Sequence, residues 1–350
     1  YLGSSFAFIA VVAAATGHMT GSGVNPNLAV ALGGIVACGV VYALIGFAVI
    51  LTGTRWIEKL MPPVVTGAIV MIIGLNLAPI TIKNVAGQPF ELWMALITVL
   101  CMGVIAVFSQ GLLQRLLLLL GLLMAYAIYV LATNGLGYGK AIDFSTIAAA
   151  PWFGLPHFTE PAFELNAMLI IAPVALILVA ENLGHIKAVS AMTGENLTPQ
   201  LGKAFVADGL ATTLSGSVGA PGMTTYGENI GVMAVTQVYS TIIFVIAGLF
   251  AICLGLSPKF GAVISTIPSA VLTGASIVVF GLITIAGAKI WIENKVDFSN
   301  NKNLMVASVT LILGAGNFEL LIGGFNLGGI GTATFAAIAL NVLFSLKDKN

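Results

Sequence analysis

Residues 28–51, LAVALGGIVACGVVYALIGFAVIL, form an apolar stretch of 24 residues without a charged side chain. About 20 apolar residues are enough for an α-helix to cross the hydrocarbon core of a bilayer. The stretch therefore predicts a transmembrane helix. A strand of a membrane β-barrel would alternate polar and apolar residues over about 10 positions, so the continuous run favours an α-helical protein.

The composition of the whole chain agrees with a membrane protein. Hydrophobic residues make up 59% of the 350 residues and charged residues only 7%, whereas a soluble domain has about 25% charged residues. This scarcity of charged residues excludes a soluble or secreted protein. The 13 basic and 13 acidic residues balance to zero, so no basic excess points to nucleic-acid binding. The three cysteines lie in apolar runs without Cys-x-x-Cys spacing, so we predict no metal site, disulfide framework or cofactor.

Working outward from residues 28–51 gives twelve predicted membrane segments. Nine are clear apolar runs: 28–51, 64–80, 92–108, 116–132, 167–180, 239–256, 269–290, 303–314 and 328–346. Three are shorter and rich in Gly, Ser and Thr: 3–15, 203–217 and 228–238. If the first segment starts in the cytoplasm, ten Lys and Arg residues fall inside and only Lys83, Lys140 and Lys259 fall outside. This bias predicts that both ends are cytoplasmic and that residues 134–165 form a long external loop.

Two halves of the chain share a spacing of small residues. Thr66-Gly67-Ala68 followed by Gly74-Leu75 recurs 207 positions later as Thr273-Gly274-Ala275 followed by Gly281-Leu282. The pair Gly39 and Gly46 recurs as Gly248 and Gly255. Short interrupted segments lie at matching places: residues 3–15 precede the first set, and residues 228–238 precede the second. Such repeats are typical of transporters, in which corresponding broken segments mark the binding site.

Ionisable residues occur in four places inside predicted membrane segments: Glu181, His185, Asp208 and Glu228. A charge at the bilayer centre costs about 2.5–3.5 kcal/mol on insertion scales, so such residues normally face a cavity or the bundle interior. Glu181 and His185 are four residues apart and share one helix face. Because apolar surroundings disfavour a charged carboxyl group, the pair is a candidate for proton exchange. A purely structural Glu–His hydrogen bond is the alternative. Asp208 stays open between a functional role and solvation near the cytoplasmic interface.

Glu228 follows a predicted break in a helix. Pro221 and Gly222 precede the stretch TTYGENIG, residues 224–231, which predicts an extended segment leading into the N-terminus of a half-helix. Free backbone N–H groups at such an end can bind a polar ligand. A carboxylate that caps its own helix is the alternative for Glu228. The opening stretch YLGSSF, residues 1–6, is the expected counterpart of this segment in the other half of the chain. Its Phe6 could stack on a flat ligand.

Three stretches carry a resemblance to a known family. YLGSSFAF (1–8), ENLGH (181–185) and TYGENIGVMAVT (225–236) together resemble the nucleobase–ascorbate transporter family, also called nucleobase–cation symporter 2, and especially its bacterial uracil permeases. The resemblance extends over essentially the whole chain, and Asn229-x-Gly231-x4-Thr236 matches the family signature. Two positions depart from the pattern: Gln237 replaces a common basic residue or Gly, and Phe280 replaces a Tyr, so a hydroxyl contact would be lost there.

The resemblance implies a fold of 14 membrane segments in two inverted repeats of seven, all-α apart from two short antiparallel strands. These strands would lie in residues 1–6 and 224–226 and meet at mid-membrane. The twelve predicted segments would be the third to the fourteenth. Because the chain opens within a motif, we expect two further segments upstream. The implied domains are a substrate-binding core, residues 1–53 and 166–256, and a gate, residues 54–165 and 257–350.

The resemblance also implies a function, namely import of uracil or a related pyrimidine base by proton symport through alternating access of core against gate. It implies a multi-pass protein of the inner membrane and suggests a homodimer. The implied substrate contacts are Glu181, Glu228, Phe6, Tyr226, Gly227 and Ser5. His185, together with Glu181, would couple transport to H⁺.

Several alternatives stay open at this point. A xanthine or urate permease would keep the fold and change the base. An anion transporter of the sulfate-permease type would favour a basic or neutral site, which two buried carboxylates argue against. A membrane enzyme could use Glu181 and His185 as an acid–base pair, but no nucleophile constellation accompanies them. Na⁺ is an alternative coupling ion.

Overall fold

The structure of the protein is a computed structural model that describes residues 2–18, 25–83, 85–322 and 325–346. Six positions are described by their backbone alone: Ala10, Glu228, Val235, Ile322, Phe325 and Asn326.

The described residues are mostly helical. The helices are α1 (Ala7–Thr16), α2 (Leu28–Thr52), α3 (Arg55–Leu60), α4 (Pro63–Lys83), α5 (Pro89–Phe108), α6 (Gly111–Arg115), α7 (Leu117–Val130), α8 (Ser145–Ala149), α9 (Leu165–Ile171), α10 (Val174–Thr193), α11 (Leu201–Ser217), α12 (Gly227–Thr236), α13 (Thr241–Gly255), α14 (Pro258–Ser265), α15 (Ser269–Glu293), α16 (Asn301–Ala315) and α17 (Gly328–Ser345). A π-helical turn, Leu131–Gly135, extends α7, and a 3₁₀ turn, Thr198–Gln200, precedes α11. The strands are β1 (Leu2–Ser4), β2 (Met223–Thr225), β3 (Leu321–Ile322) and β4 (Phe325–Asn326).

Helices long and apolar enough to cross a membrane number seven among the described residues, or eight if α13 and α14 are one span bent by 80°. The predicted count of twelve is therefore not confirmed. The difference lies in the shorter predicted segments. Four helices account for it: α11 has 17 residues, α16 has 15, and α1 and α12 have 10 each. At 1.5 Å per residue these helices measure about 26 Å, about 22 Å and about 15 Å, less than the roughly 30 Å of the hydrocarbon core.

The chain divides into two compact units. The first unit comprises Tyr1–Pro79, Thr159–Ile230 and Phe280–Asn350, and the second comprises Ile80–Phe158 and Gly231–Val279. Both segments of the predicted core, apart from residues 231–256, fall in the first unit. Compactness does not measure which segments move together during transport, so the division into core and gate stays a prediction.

A two-stranded antiparallel ribbon lies in the first unit. Leu2 is opposite Thr225, Gly3 is opposite Thr224, and Ser4 is opposite Met223. The predicted pairing of two short antiparallel strands is confirmed, with the second strand beginning one residue earlier than expected; Tyr1 lies outside the described residues. Each strand leads into a helix, β1 into α1 and β2 into α12. Because the strands are antiparallel, the two helices start at opposite ends of the ribbon.

Helices α2 and α11 approach each other through glycines. A Cβ atom added at Gly39 would lie 2.7 Å from the Gly209 carbonyl oxygen, and one added at Gly46 would lie 2.9 Å from the Gly202 carbonyl oxygen. Small residues allow this close backbone packing between membrane helices. The contact fixes α11, and with it Asp208, against α2.

Candidate functional site

Strand β2 joins the ribbon to the helix that carries the predicted proton-coupling pair. The Thr224 hydroxyl donates a hydrogen bond to Glu181 Oε2 at 3.0 Å, and Thr225 Oγ1 lies 2.7 Å from His185 Nδ1. Both threonines are buried, and Glu181 and His185 are partly buried. The predicted shared face of Glu181 and His185 is therefore confirmed, since both side chains on α10 reach the same short strand.

The start of α12 borders the same group. A Cβ atom at Gly227, the first residue of α12, would lie 3.3 Å from His185 Nε2. Here the absence of a side chain brings the helix backbone close to the imidazole. The first N–H groups of a helix have no partner within the helix, so this end can donate to a ligand. The side chain of Glu228 lies outside the described residues, and its predicted contact with the base stays a prediction.

Tyr226 packs across β1. Its hydroxyl donates to the Ser4 carbonyl oxygen at 2.6 Å, and a Cβ atom at Gly3 would lie only 2.6 Å from Tyr226 Cζ. A side chain at position 3 would therefore displace either the Tyr226 ring or strand β1. The side chain of Tyr226 stabilises the ribbon, and its predicted contact with substrate stays a prediction.

Ser5 and Phe6 lie where β1 passes into α1. The Ser5 amide donates to the Gly222 carbonyl oxygen at 2.9 Å, and the Ser5 hydroxyl accepts from the Ala7 amide at 3.2 Å. These bonds hold the turn that begins α1. The Phe6 ring is partly buried and meets Phe280 edge to face, with ring centroids 5.6 Å apart. The structure therefore places Phe280, noted in the sequence as a departure from the family pattern, against a predicted substrate contact.

A second polar network is centred on Asn182, the residue that follows Glu181 on α10. The Asn182 amide donates to Tyr42 Oη at 2.9 Å and also to Asp208 Oδ2, and Tyr42 donates to the Leu178 carbonyl oxygen at 3.3 Å. Asp208 is 4% exposed. The interpretation of Asp208 as a solvated residue is therefore wrong, because α2 and α11 pack closely enough to exclude solvent there.

Some members of the site were missed by sequence reasoning. Thr224 and Thr225 are not among the predicted site residues, although each contacts a predicted functional side chain. Two adjacent hydroxyl residues directly before the start of a half-helix are the signal that could have identified them. The link between Asn182 and Asp208, 26 residues apart, has no comparable signal.

Known proteins resemble this chain over nearly its whole length. The permease family matches residues 1–323. The chain is 65% identical over 347 residues to the putative pyrimidine permease RutG of Escherichia coli (strain K12), covering 99% of this chain and 78% of that protein. It is 38% identical over 356 residues to the uracil permease of the same organism, covering 99% and 80%.

A solved structure supports the fold. The transmembrane domain of a cyanobacterium bicarbonate transporter, BicA, superposes with a TM-score of 0.62 at 20% identity, covering 97% of this chain and 83% of that one. The likeness shows a mostly helical, polytopic membrane fold. The relatives are named as permeases rather than enzymes. Since the family match covers nearly the whole chain, the chain belongs to the permease family that its motifs resemble, the nucleobase–ascorbate transporter (nucleobase–cation symporter 2) family.

Proposed function

We propose that the protein is a secondary active transporter that imports uracil, or a related pyrimidine base, by proton symport. The names of the relatives support the substrate class. The observation that carries the proposal for the site is the joint attachment of Glu181 and His185 to adjacent threonines of β2, directly beside the start of α12. A carboxylate, an imidazole and free backbone donors are thereby gathered in one place.

The chemistry of uracil matches these groups. Its ring presents N–H donors beside carbonyl acceptors. Glu181 accepts from a ring N–H, and the backbone N–H groups at Gly227 and beyond donate to a carbonyl oxygen. Glu228 supplies a second acceptor, and Phe6 packs against the ring face. An analogue without these groups leaves buried polar atoms unpaired and is rejected.

Proton coupling involves His185 and Glu181. An uncharged carboxyl group donates through one oxygen, whereas a carboxylate only accepts, so the protonation state of Glu181 changes its fit to the base. His185 lies one helical turn away, and its Nε2 edge faces Gly227. Base and proton therefore bind to the same small group of atoms, which makes the binding of each depend on the other.

Transport requires this site to open to each side in turn. The core, residues 1–53 and 166–256, carries the site and moves against the gate, residues 54–165 and 257–350. The protein lies in the inner membrane with both ends in the cytoplasm and works as a homodimer.

Uptake of radiolabelled uracil into proteoliposomes tests the proposal. With an inward proton gradient, we expect accumulation that unlabelled uracil competes and that Glu181→Ala abolishes. Equal accumulation with and without the inward proton gradient would overturn proton symport. No uptake of uracil, together with competition by xanthine or urate in a binding assay, would keep the fold and move the substrate to the purines. If Glu181→Gln still accumulated uracil against a gradient at normal rates, the coupling role of Glu181 would be lost.

A further inference from the structure

A group of exposed apolar side chains lies in the second unit, apart from the site described above. It comprises a loop, residues 151–158 (PWFGLPHF), and helix α14, and is called here the aromatic platform. The loop contains no Asp, Glu, Lys or Arg. Four of its side chains are 63–78% exposed, namely Trp152, Phe153, Leu155 and Phe158. A contiguous apolar patch of this kind marks a surface that contacts a membrane or another protein.

Main-chain hydrogen bonds hold the loop against the corner between α13 and α14. The Gly154 amide donates to the Leu256 carbonyl oxygen at 3.0 Å, and the Lys259 amide donates to the Pro151 carbonyl oxygen at 3.0 Å. A Cβ atom at Gly154 would lie 2.8 Å from Pro258 Cγ, so the glycine allows this close approach. The loop therefore follows α14, and the two present their apolar side chains together.

The direction of α14 relative to the membrane follows from the 80° bend between α13 and α14. Helix α13 has no charged residue and no buried one. A helix that is apolar all round and is not buried in protein belongs in the hydrocarbon of a bilayer. The eight residues of α14 measure about 12 Å, and at 80° they advance only about 2 Å along the axis of α13. Helix α14 therefore runs across the bilayer rather than through it.

Helix α14 has an apolar face of its own. Phe260, Val263 and Ile264 are three and four residues apart, so they share one side of the helix. Each of these side chains is 40–50% exposed. A helix that lies in the plane of the membrane surface buries such a face at the boundary between headgroups and acyl chains.

Lys259 adds a positive charge to the platform. Its Nζ lies 4.9 Å from the centroid of the Trp152 ring, a cation–π contact. Tryptophan is enriched at membrane–water interfaces, where its apolar ring and its N–H group suit the level of the headgroups. A lysine at that level meets the lipid phosphates, whose charge is complementary. A second copy of the chain fits less well, because a two-fold contact between platforms would bring a second Lys259 into the interface.

We propose that the aromatic platform lies at the headgroup–acyl boundary of the outer leaflet, with the Trp152 ring at headgroup level and Lys259 bound to a phospholipid phosphate. The leaflet follows from the predicted topology, which places Lys259 outside. The predicted core ends at residue 256 and the predicted gate resumes at residue 257, so the platform anchors the point where these parts join. The anchor depends on neither the substrate nor the coupling ion of the proposed function.

Quenching of tryptophan fluorescence in vesicles tests the depth of the platform. The protein is reconstituted into vesicles of phosphatidylcholine and phosphatidylglycerol, and the emission of Trp152 is the difference between the wild type and Trp152→Phe. Lipids brominated near the headgroup end of their acyl chains should quench this emission roughly twofold more than lipids brominated near the methyl end. They should also quench it more strongly than aqueous iodide does.

Enrichment of anionic lipid around Trp152 tests the phosphate contact. In mixed vesicles, brominated phosphatidylglycerol should quench Trp152 about two- to fivefold more than the same fraction of brominated phosphatidylcholine, because a lysine near the surface attracts anionic lipid. Lys259→Gln should remove this excess. Lys140→Gln removes an exposed lysine from the same predicted external loop; it is the matched control and should keep the excess. Each variant is measured against its own Trp152→Phe counterpart.

Every outcome decides part of the proposal. Stronger quenching of Trp152 by iodide than by the brominated lipids would place the loop in water and overturn the platform. Protection of Trp152 from both would show that protein covers the patch, as a second copy of the chain would, and would overturn it as well. Equal quenching by the two lipids in the wild type, or an excess that survives Lys259→Gln, would overturn the phosphate contact. Shallow quenching with an excess lost only in Lys259→Gln would establish the anchor.

Discussion

His185 Nδ1 lies 2.7 Å from Thr225 Oγ1, so a strand hydroxyl holds one ring nitrogen while the other faces the first residue of α12. A hydroxyl both donates and accepts hydrogen bonds. Thr225 can therefore bond Nδ1 in either neutral tautomer and in the imidazolium. The ring keeps its orientation while its proton changes, which is what a residue that takes part in proton coupling requires.

Replacement of Thr225 should impair coupling more than folding. Thr225→Val keeps the shape and removes the hydroxyl, and a net hydrogen bond contributes about 0.5–1.5 kcal/mol. We expect gradient-driven uracil uptake to fall about 3- to 10-fold, while Thr225→Ser, which keeps the hydroxyl, should transport nearly normally. Uptake into proteoliposomes with and without an inward proton gradient measures the coupling of both variants. Equal uptake by the Val and Ser variants would contradict a positioning role for Thr225.

Thr224 should affect affinity for the base. Its hydroxyl donates to Glu181 Oε2 at 3.0 Å, and a hydrogen bond to a charged group contributes about 1.5–3 kcal/mol. Without it, Glu181 loses a hydrogen bond that helps to orient its carboxylate. We expect Thr224→Val to raise the KM for uracil at least about tenfold and Thr224→Ser to leave it near the wild-type value. A KM unchanged in Thr224→Val would show that Glu181 is oriented by other contacts.

The sequence predicted local relationships better than the number of membrane spans. The four-residue spacing of Glu181 and His185 placed both on one face, and the structure confirms this, because helical geometry is local. The number of spans depends on where helices stop. Apolar runs do not reveal the 80° bend between α13 and α14.

Asp208 shows why burial was harder to predict. Its own neighbours in the sequence leave its exposure open. Its burial follows from the approach of α2, which brings Tyr42 into the network with Asn182. This approach depends on Gly39 facing Gly209, residues 170 positions apart in the chain. The local pattern does not indicate that these two glycines meet, because their contact depends on how the chain between them folds.

A side chain at Gly3 should destabilise the ribbon. A Cβ atom there would lie 2.6 Å from Tyr226 Cζ, so either the ring or strand β1 must move. We expect Gly3→Ala to lower the free energy of unfolding by about 1–3 kcal/mol, the usual cost of overpacking. Thermal unfolding of the purified protein in detergent measures this. Gly248→Ala is the matched control, because a Cβ atom there meets no described atom within 4 Å; alanine in a helix should leave stability unchanged or raise it by up to about 1 kcal/mol. Equal melting temperatures for the two variants would show that the ribbon accommodates the added methyl group without a loss of stability.

Asp208 should stabilise the fold through its contact with Asn182. The Asn182 amide donates to both Asp208 and Tyr42, and it adjoins Glu181 on α10. Asp208→Ala removes an acceptor from a buried amide, and a buried donor without its partner costs about 1–3 kcal/mol. Asp208→Asn keeps one acceptor oxygen and should cost less than Asp208→Ala.

Thermal unfolding of the purified variants in detergent distinguishes this network from a solvated carboxylate. Glu195→Ala, at an exposed position, is the control and should change stability by no more than about 0.5 kcal/mol. If Asp208→Ala melted at the same temperature as Glu195→Ala, the network would not stabilise the fold. If Asp208→Ala lost stability and Asp208→Asn recovered most of it, the acceptor oxygen rather than the charge would be what Asn182 requires, since the amide of the Asn variant carries the oxygen without the charge.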